Sequence, residues 1–143
     1  MKMRQKVVDL IFNIANSTKF EIGGILGSSE KGVITDMVPD LPMYACECRF
    51  EYYPNISYLN REILEWSNKK IEFMGLFHTH FSGSCNLSEE DKKYIRAIME
   101  SAKGIAECLY FPIFTLPDND LNVYKAYFDG DEIFINRDDL EII

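Results

Sequence analysis

Apolar positions change their spacing several times along the chain, and each change marks an expected element. Over residues 3–17, Val7, Leu10, Ile11 and Ile14 recur at three- and four-residue intervals, the period of an amphipathic helix. The run Phe20-Glu-Ile-Gly-Gly-Ile-Leu-Gly27 then reads as a strand whose glycines let another backbone or a ligand approach closely. Residues 32–38 read as a second strand after a turn over 28–31, and Pro39 and Pro42 open a loop. A further strand is expected over 48–53. Pro54-Asn-Ile-Ser begins a second helix, with Ile56, Leu59, Ile63, Leu64 and Trp66 as its apolar face. A short, strongly apolar strand over 71–78 leads into a polar loop, 81–86, and a third helix runs from Ser88 to about Ala102. Strands at 106–115, 121–128 and 132–136 complete the pattern. Helices and strands mix without strict alternation, so the expected class is α+β, on a mostly antiparallel or mixed sheet.

Composition narrows this to one compact unit over 1–143. Apolar residues make up 47% of the 143, enough for a core, and repeats and low-complexity segments are absent. The net charge of −8 disfavours nucleic acid, whose phosphates need a basic face, and disfavours attachment to anionic lipid. No apolar run approaches the roughly 20 residues that cross a bilayer. The basic start followed by apolar residues faintly resembles a signal peptide, but Asp9 and Asn13 interrupt it, so an amphipathic helix in a cytoplasmic protein is expected. The cysteines, Cys46, Cys48, Cys85 and Cys108, form no C-x-x-C pair and read as reduced thiols.

Candidate chemistry centres on the only two histidines, His78 and His80. Side chains two apart on a strand share a face, so both imidazoles can converge on one ion at the strand end. Seven residues later, Ser88-Glu-Glu-Asp91 opens the third helix and offers Asp91 as a third ligand. Two His and one carboxylate leave a fourth tetrahedral position for water, the arrangement of a catalytic rather than a structural zinc site. Hydrolysis also needs a carboxylate to carry a proton from that water to the leaving group. Glu21, at the head of the glycine-rich strand, is the candidate, with Glu47, Glu51 and Glu72 as competitors. Ser88-x-x-Asp91 is at the same time a capping box, which any helix can use. A zinc deaminase would need a downstream Pro-Cys-x-x-Cys, which the chain lacks, and a binuclear hydrolase would need more ligands.

His78-Thr-His80, seven residues, Ser88, two residues, Asp91 resembles the His-[Ser/Thr]-His-x7-Ser-x-x-Asp signature of the JAMM (MPN+) metalloproteases. Glu21-Ile-Gly-Gly-Ile-Leu-Gly27 is similar to that family's glutamate-glycine segment, and Gly75-Leu-Phe to its lead-in before the first histidine. The resemblance spans roughly residues 5–128. It implies a three-layer MPN/JAMM (cytidine-deaminase-like) fold, a mixed curved sheet flanked by helices. It further implies one Zn2+ per chain on His78, His80 and Asp91, Glu21 as general acid/base, and Ser88 as donor to the developing oxyanion. The implied reaction is hydrolysis of a peptide or isopeptide bond at the extended C-terminal tail of a ubiquitin-like or sulfur-carrier-like protein. A non-catalytic MPN-type scaffold is the alternative, although such members usually lose ligands that this chain keeps. Phe81 stands where many members have Pro after the second histidine, which bears on loop rigidity and substrate preference.

Overall fold

The computed structural model describes residues 1–41, 52–81 and 84–143. A short strand, β1 (Lys2–Met3), precedes helix α1 (Gln5–Asn16), and strands β2 (Gly23–Ser28), β3 (Val33–Ile34) and β4 (Asp36–Asp40) follow. Helix α2 (Ile56–Asn68) leads to β5 (Glu72–His80), and α3 (Glu89–Ser101) to β6 (Cys108–Thr115), β7 (Asp120–Asp129), β8 (Glu132–Asp138) and β9 (Glu141–Ile142). Six strands form the main sheet in the order β4-β2-β5-β6-β7-β8. Only the β5–β6 pair is parallel, with α3 in the crossover. A small sheet, β3-β1-β9, joins both ends of the chain.

Two apolar layers sandwich the main sheet. Val7, Val8 and Ile11 of α1 pack with Ile22, Leu26, Phe77 and Phe114 on one face. Leu59 and Trp66 of α2 and Ile95 and Met99 of α3 pack with Ile25, Leu76, Leu109 and Phe111 on the other. The molecule is therefore a mixed sheet between one helix and two, the expected α+β three-layer arrangement. None of its helices among the described residues is long and apolar enough to cross a membrane.

Several local expectations are corrected. The stretch 32–38 divides at Thr35 into β3 and β4, which belong to different sheets, and Pro39 lies inside β4 rather than in a loop. β4 is an edge strand, where a proline's missing N–H costs no ladder bond. The glycine-rich strand begins at Gly23, so Phe20, Glu21 and Ile22 precede it. On α2, Ile56 and Leu64 are exposed, and burial falls to Leu59 and Trp66. Tyr52 and Tyr53 are not in a strand, and the remainder of the 48–53 expectation, with Cys46, Glu47, Cys48 and Glu51, lies outside the described residues.

Candidate metal centre

A β-bulge decides where the two histidines point. Leu26 pairs with Gly75 but Gly27 pairs with Phe73, so β5 carries one extra residue at this step. Before the bulge, Ile71 and Phe73 pack towards α2, while Met74 packs against the α1 layer. After it the alternation is reversed: Phe77 faces α1 and Leu76 faces α2 and α3. His78 and His80 share the parity of Leu76, so they emerge on the two-helix face beside α3. Gly75 serves the bulge with a φ of 146°, and a Cβ there would lie 1.8 Å from the Tyr110 carbonyl oxygen of the neighbouring strand.

The first turn of α3 supplies the third group. Ser88 is its N-cap: the Ser88 hydroxyl oxygen accepts from the Asp91 N–H at 3.0 Å, and an Asp91 carboxylate oxygen accepts from the Ser88 N–H at 2.9 Å. The capping box thus fixes the Asp91 carboxylate while its oxygens face the histidines, with Oδ1 3.2 Å from His78 Nε2 and Oδ2 3.3 Å from His80 Nε2. The Ser88 hydroxyl proton is not used by the cap and remains available as a donor at the exposed cleft edge.

His78 Nε2 and His80 Nε2 are 2.9 Å apart. His80 Nδ1 lies 3.0 Å from the Ser84 carbonyl oxygen, which can only accept, so Nδ1 carries a proton and Nε2 of the neutral ring is a lone pair. Lone pairs from imidazole and carboxylate therefore converge on one small space, which needs a shared proton or a cation. A tetrahedral zinc ion with bonds of about 2.0–2.1 Å would hold its ligand atoms about 3.3 Å apart, close to the observed 2.9–3.3 Å. All three side chains offer ligand atoms within 4.8 Å of one another, so the cluster is compatible with a metal ion.

Electrostatics within the cluster are strong. Burial pushes the Asp91 carboxyl up, but hydrogen bonds from His78 and His80 outweigh it and hold the group well below the usual carboxylate range. The His80 imidazole is raised, first by its bond to Asp91, against the opposing effect of burial. The signs set a pH window for the metal-free protein. The raised His80 stabilises the fold below the ordinary 6.5 and loses this as pH rises through its folded value. The lowered Asp91 contributes above the ordinary 3.8 and loses this as pH falls. With metal stripped, the wild type should therefore melt above His80→Gln at mildly acid pH and lose that advantage as pH rises through the raised His80 value. A difference that grows towards alkaline pH in a melting series would contradict the assignment.

Glu21 reaches the same cleft. Gly23 pairs with His78, and the Thr79 N–H donates to the Ile22 carbonyl, so Glu21 stands across from His80 at the strand ends. Burial raises its carboxyl pKa, while the histidines and the Tyr52 N–H pull it down. That N–H donates to Glu21 Oε2 at 3.3 Å. Tyr52 is itself held by Asp40: its hydroxyl donates to Asp40 Oδ2 at 2.8 Å, and the Asn55 N–H donates to the same oxygen at 2.7 Å. The Tyr52 ring covers Gly23, where a Cβ would come within 2.3 Å of it. Of the competing carboxylates, Glu72 opens β5 six residues before His78, about 20 Å away along the strand. Glu47 and Glu51 lie outside the described residues.

Glu21, Tyr52, His78, His80, Ser88 and Asp91 line one cleft of about 700 Å³. Asp40 and Tyr94 are residues that the sequence does not single out. Asp40 is buried at the end of an edge strand, and no spacing rule connects it to Tyr52. Tyr94, one turn after Asp91, was findable, because residues three apart on a helix share a face.

No protein-family model and no curated protein sequence matches the chain. Solved structures do. A protein from Desulfitobacterium hafniense superposes with a TM-score of 0.67 at 14% identity, covering 99% of this chain and 92% of that one. A JAB1/MPN domain protein from Archaeoglobus fulgidus gives 0.61 at 20%, covering 100% and 99%. A structure described as JAMM, a metalloprotease-like zinc site in the proteasome and signalosome, gives 0.54 at 20%, covering 100% and 97%. The chain has the JAB1/MPN fold.

Proposed function

We propose that the protein is a zinc-dependent hydrolase of peptide or isopeptide bonds, with His78, His80 and Asp91 as metal ligands, Glu21 as general acid/base and Ser88 as oxyanion donor. The observation that carries this reading is the convergence of Nε2, Nε2 and carboxylate oxygens at 2.9–3.3 Å, in a cleft that also holds Glu21. The JAB1/MPN fold and the JAMM zinc-site neighbour support it.

Zinc held by these residues would supply Lewis acidity and a water acidified to a pKa of about 7. The remaining work belongs to the chain. Glu21, fixed at one oxygen by the Tyr52 N–H, has its other oxygen free to take a proton and return it to the leaving amine. Its burial raises the carboxyl pKa, which makes it a stronger base towards the attacking water than an ordinary glutamate. Ser88, already held as the α3 cap, donates its hydroxyl proton to the oxygen on which charge develops. The substrate class that fits the family resemblance is the extended C-terminal tail of a ubiquitin-like or sulfur-carrier-like protein. An extended tail binds through main-chain hydrogen bonds that tolerate varied side chains.

The test uses zinc-loaded protein on linear and isopeptide-linked fusions of such proteins, with products read by mass spectrometry. Glu21→Gln should cut turnover by about 10²–10⁴-fold while retaining one zinc per chain by elemental analysis. Full activity in that variant would remove Glu21 from the mechanism. A wild type that holds no zinc when supplied with it would leave only the scaffold reading.

A further inference from the structure

His80 is tied to the backbone of the loop that follows it, through Nδ1 and the Ser84 carbonyl. The next carbonyl, that of Cys85, accepts hydrogen bonds that tie the described part of this turn to the distal strands. Two side chains on β7 converge on it: Asn122 Nδ2 donates at 3.4 Å and the Tyr124 hydroxyl donates at 3.2 Å. Asn122 is 7% exposed, and its other end is also engaged, because its Oδ1 accepts from the Arg137 guanidinium on β8. The amide is thus fixed in one orientation, N towards the loop and O towards Arg137. Asn122 pairs with Ile113 on β6, and β6 runs beside β5, with Thr115 against His80. The bracket therefore stands two strands away from the histidine strand, on a strand that is paired on both sides.

The consequence for the metal cluster is chemical. A histidine presents Nε2 as a ligand only while Nδ1 carries the proton, and a fixed carbonyl at Nδ1 enforces that tautomer and the ring angle. If the Ser84–Cys85 turn moves, the acceptor moves with it, and His80 becomes free to rotate or to exchange tautomers. We infer that Asn122 and Tyr124, with Arg137 behind them, are positioning residues for the metal ligand His80, acting through the Cys85 and Ser84 carbonyls. This rests on the metal-site reading above, but it concerns residues that no ligand motif contains.

Zinc affinity, measured by competition with a chromogenic chelator on the full chain, tests it without any substrate. Tyr124→Phe keeps the ring and removes only the hydroxyl, and Asn122→Ala removes the amide. Each should weaken zinc binding by up to about 10-fold, less than the 10- to 100-fold that follows loss of a direct partner of a ligating histidine, because the Ser84 carbonyl itself remains. The double variant should be weaker than either single by less than the product of the two effects, because both bonds end on one oxygen. Asn136→Ala, which removes a bond to Tyr127 on the same outer strands, should leave zinc affinity unchanged and so controls for loosening of the sheet edge. Cobalt in place of zinc gives a second readout: its visible ligand-field bands should shift or broaden in Tyr124→Phe and not in Asn136→Ala. Wild-type affinity and an unaltered cobalt spectrum in Tyr124→Phe would overturn the inference. A wild type that binds neither zinc nor cobalt would instead overturn the metal site itself.

Discussion

Asp91→Asn is expected to weaken zinc binding by about two to three orders of magnitude while α3 stays capped. Structural zinc sites bind with about 10–16 kcal/mol over four ligands, or about 2.5–4 kcal/mol for each, and 1.4 kcal/mol is tenfold in affinity. Asparagine keeps the shape of aspartate and an oxygen that can accept from the Ser88 N–H, now 2.9 Å from the carboxylate. The backbone half of the capping box, Asp91 N–H to Ser88 hydroxyl, is untouched. What asparagine loses is the negative charge, which bonds from two imidazoles favour strongly enough to hold the Asp91 carboxyl far below its usual range. Asp91→Ala should lose zinc to the same degree but also lose the reciprocal cap, melting lower than Asp91→Asn by about 1 kcal/mol of stability. Isothermal titration with zinc and urea unfolding of the metal-free variants measure the two effects separately. Retained affinity in Asp91→Asn would mean that the carboxylate is only a cap and that the metal, if any, sits elsewhere.

How much of this was readable from the residues depends on how local each cause is. The pairing of His78 with His80 follows from the two-residue period of any strand. The Ser88–Asp91 pair follows from the geometry of one helical turn. Both rules act within a few residues, so the sequence displays them. That both groups meet is a matter of loop length and crossover, which the JAMM-like spacing suggested and the β5-to-α3 connection realises. The bulge was not readable, because β5 is apolar on both faces: Phe73, Met74, Leu76 and Phe77 offer no polar alternation to reveal a change of parity. β1 and β9 escaped for a different reason. They are two-residue strands whose partners are Lys2 and Glu141, at opposite ends of the chain, and no local pattern specifies such a contact. Asp40 and Tyr52 belong to the same class, since no local pattern specifies a contact between the end of β4 and a residue twelve positions later. On α2, the helical period was legible but its buried side was not: Leu64 and Ile56 are as apolar as Leu59, yet face outward. The sheet beneath, not hydrophobicity alone, selects the face.

The bulge carries the second large effect, expected for Gly75→Ala. A Cβ at this position meets the Tyr110 carbonyl oxygen at 1.8 Å and the Tyr110 carbonyl carbon at 2.7 Å. Both are backbone atoms of the adjacent strand, so no side chain can swing away to admit the methyl. The φ of 146° adds strain for any residue with a Cβ, about 1–3 kcal/mol by itself. Together these should cost at least about 3 kcal/mol, a large share of the 5–15 kcal/mol that typically holds a domain folded. The chain has two ways to relieve the clash, and they differ in their effect on the site. It can push β6 away from β5, which opens the core between Phe77 and Phe114 and lowers stability without changing which face the histidines occupy. Or it can straighten the bulge, and a one-residue slip turns every later side chain of β5 to the opposite face. His78 and His80 would then point into the α1 layer, away from Asp91 and Glu21. Urea unfolding should show the loss of stability in either case. Zinc titration of the fraction still folded decides between them: near-normal stoichiometry identifies strand separation, and loss of binding identifies the slip. Wild-type stability in Gly75→Ala would show that β5 reaches the same pairing without a left-handed residue, and that the bulge does not aim the histidines.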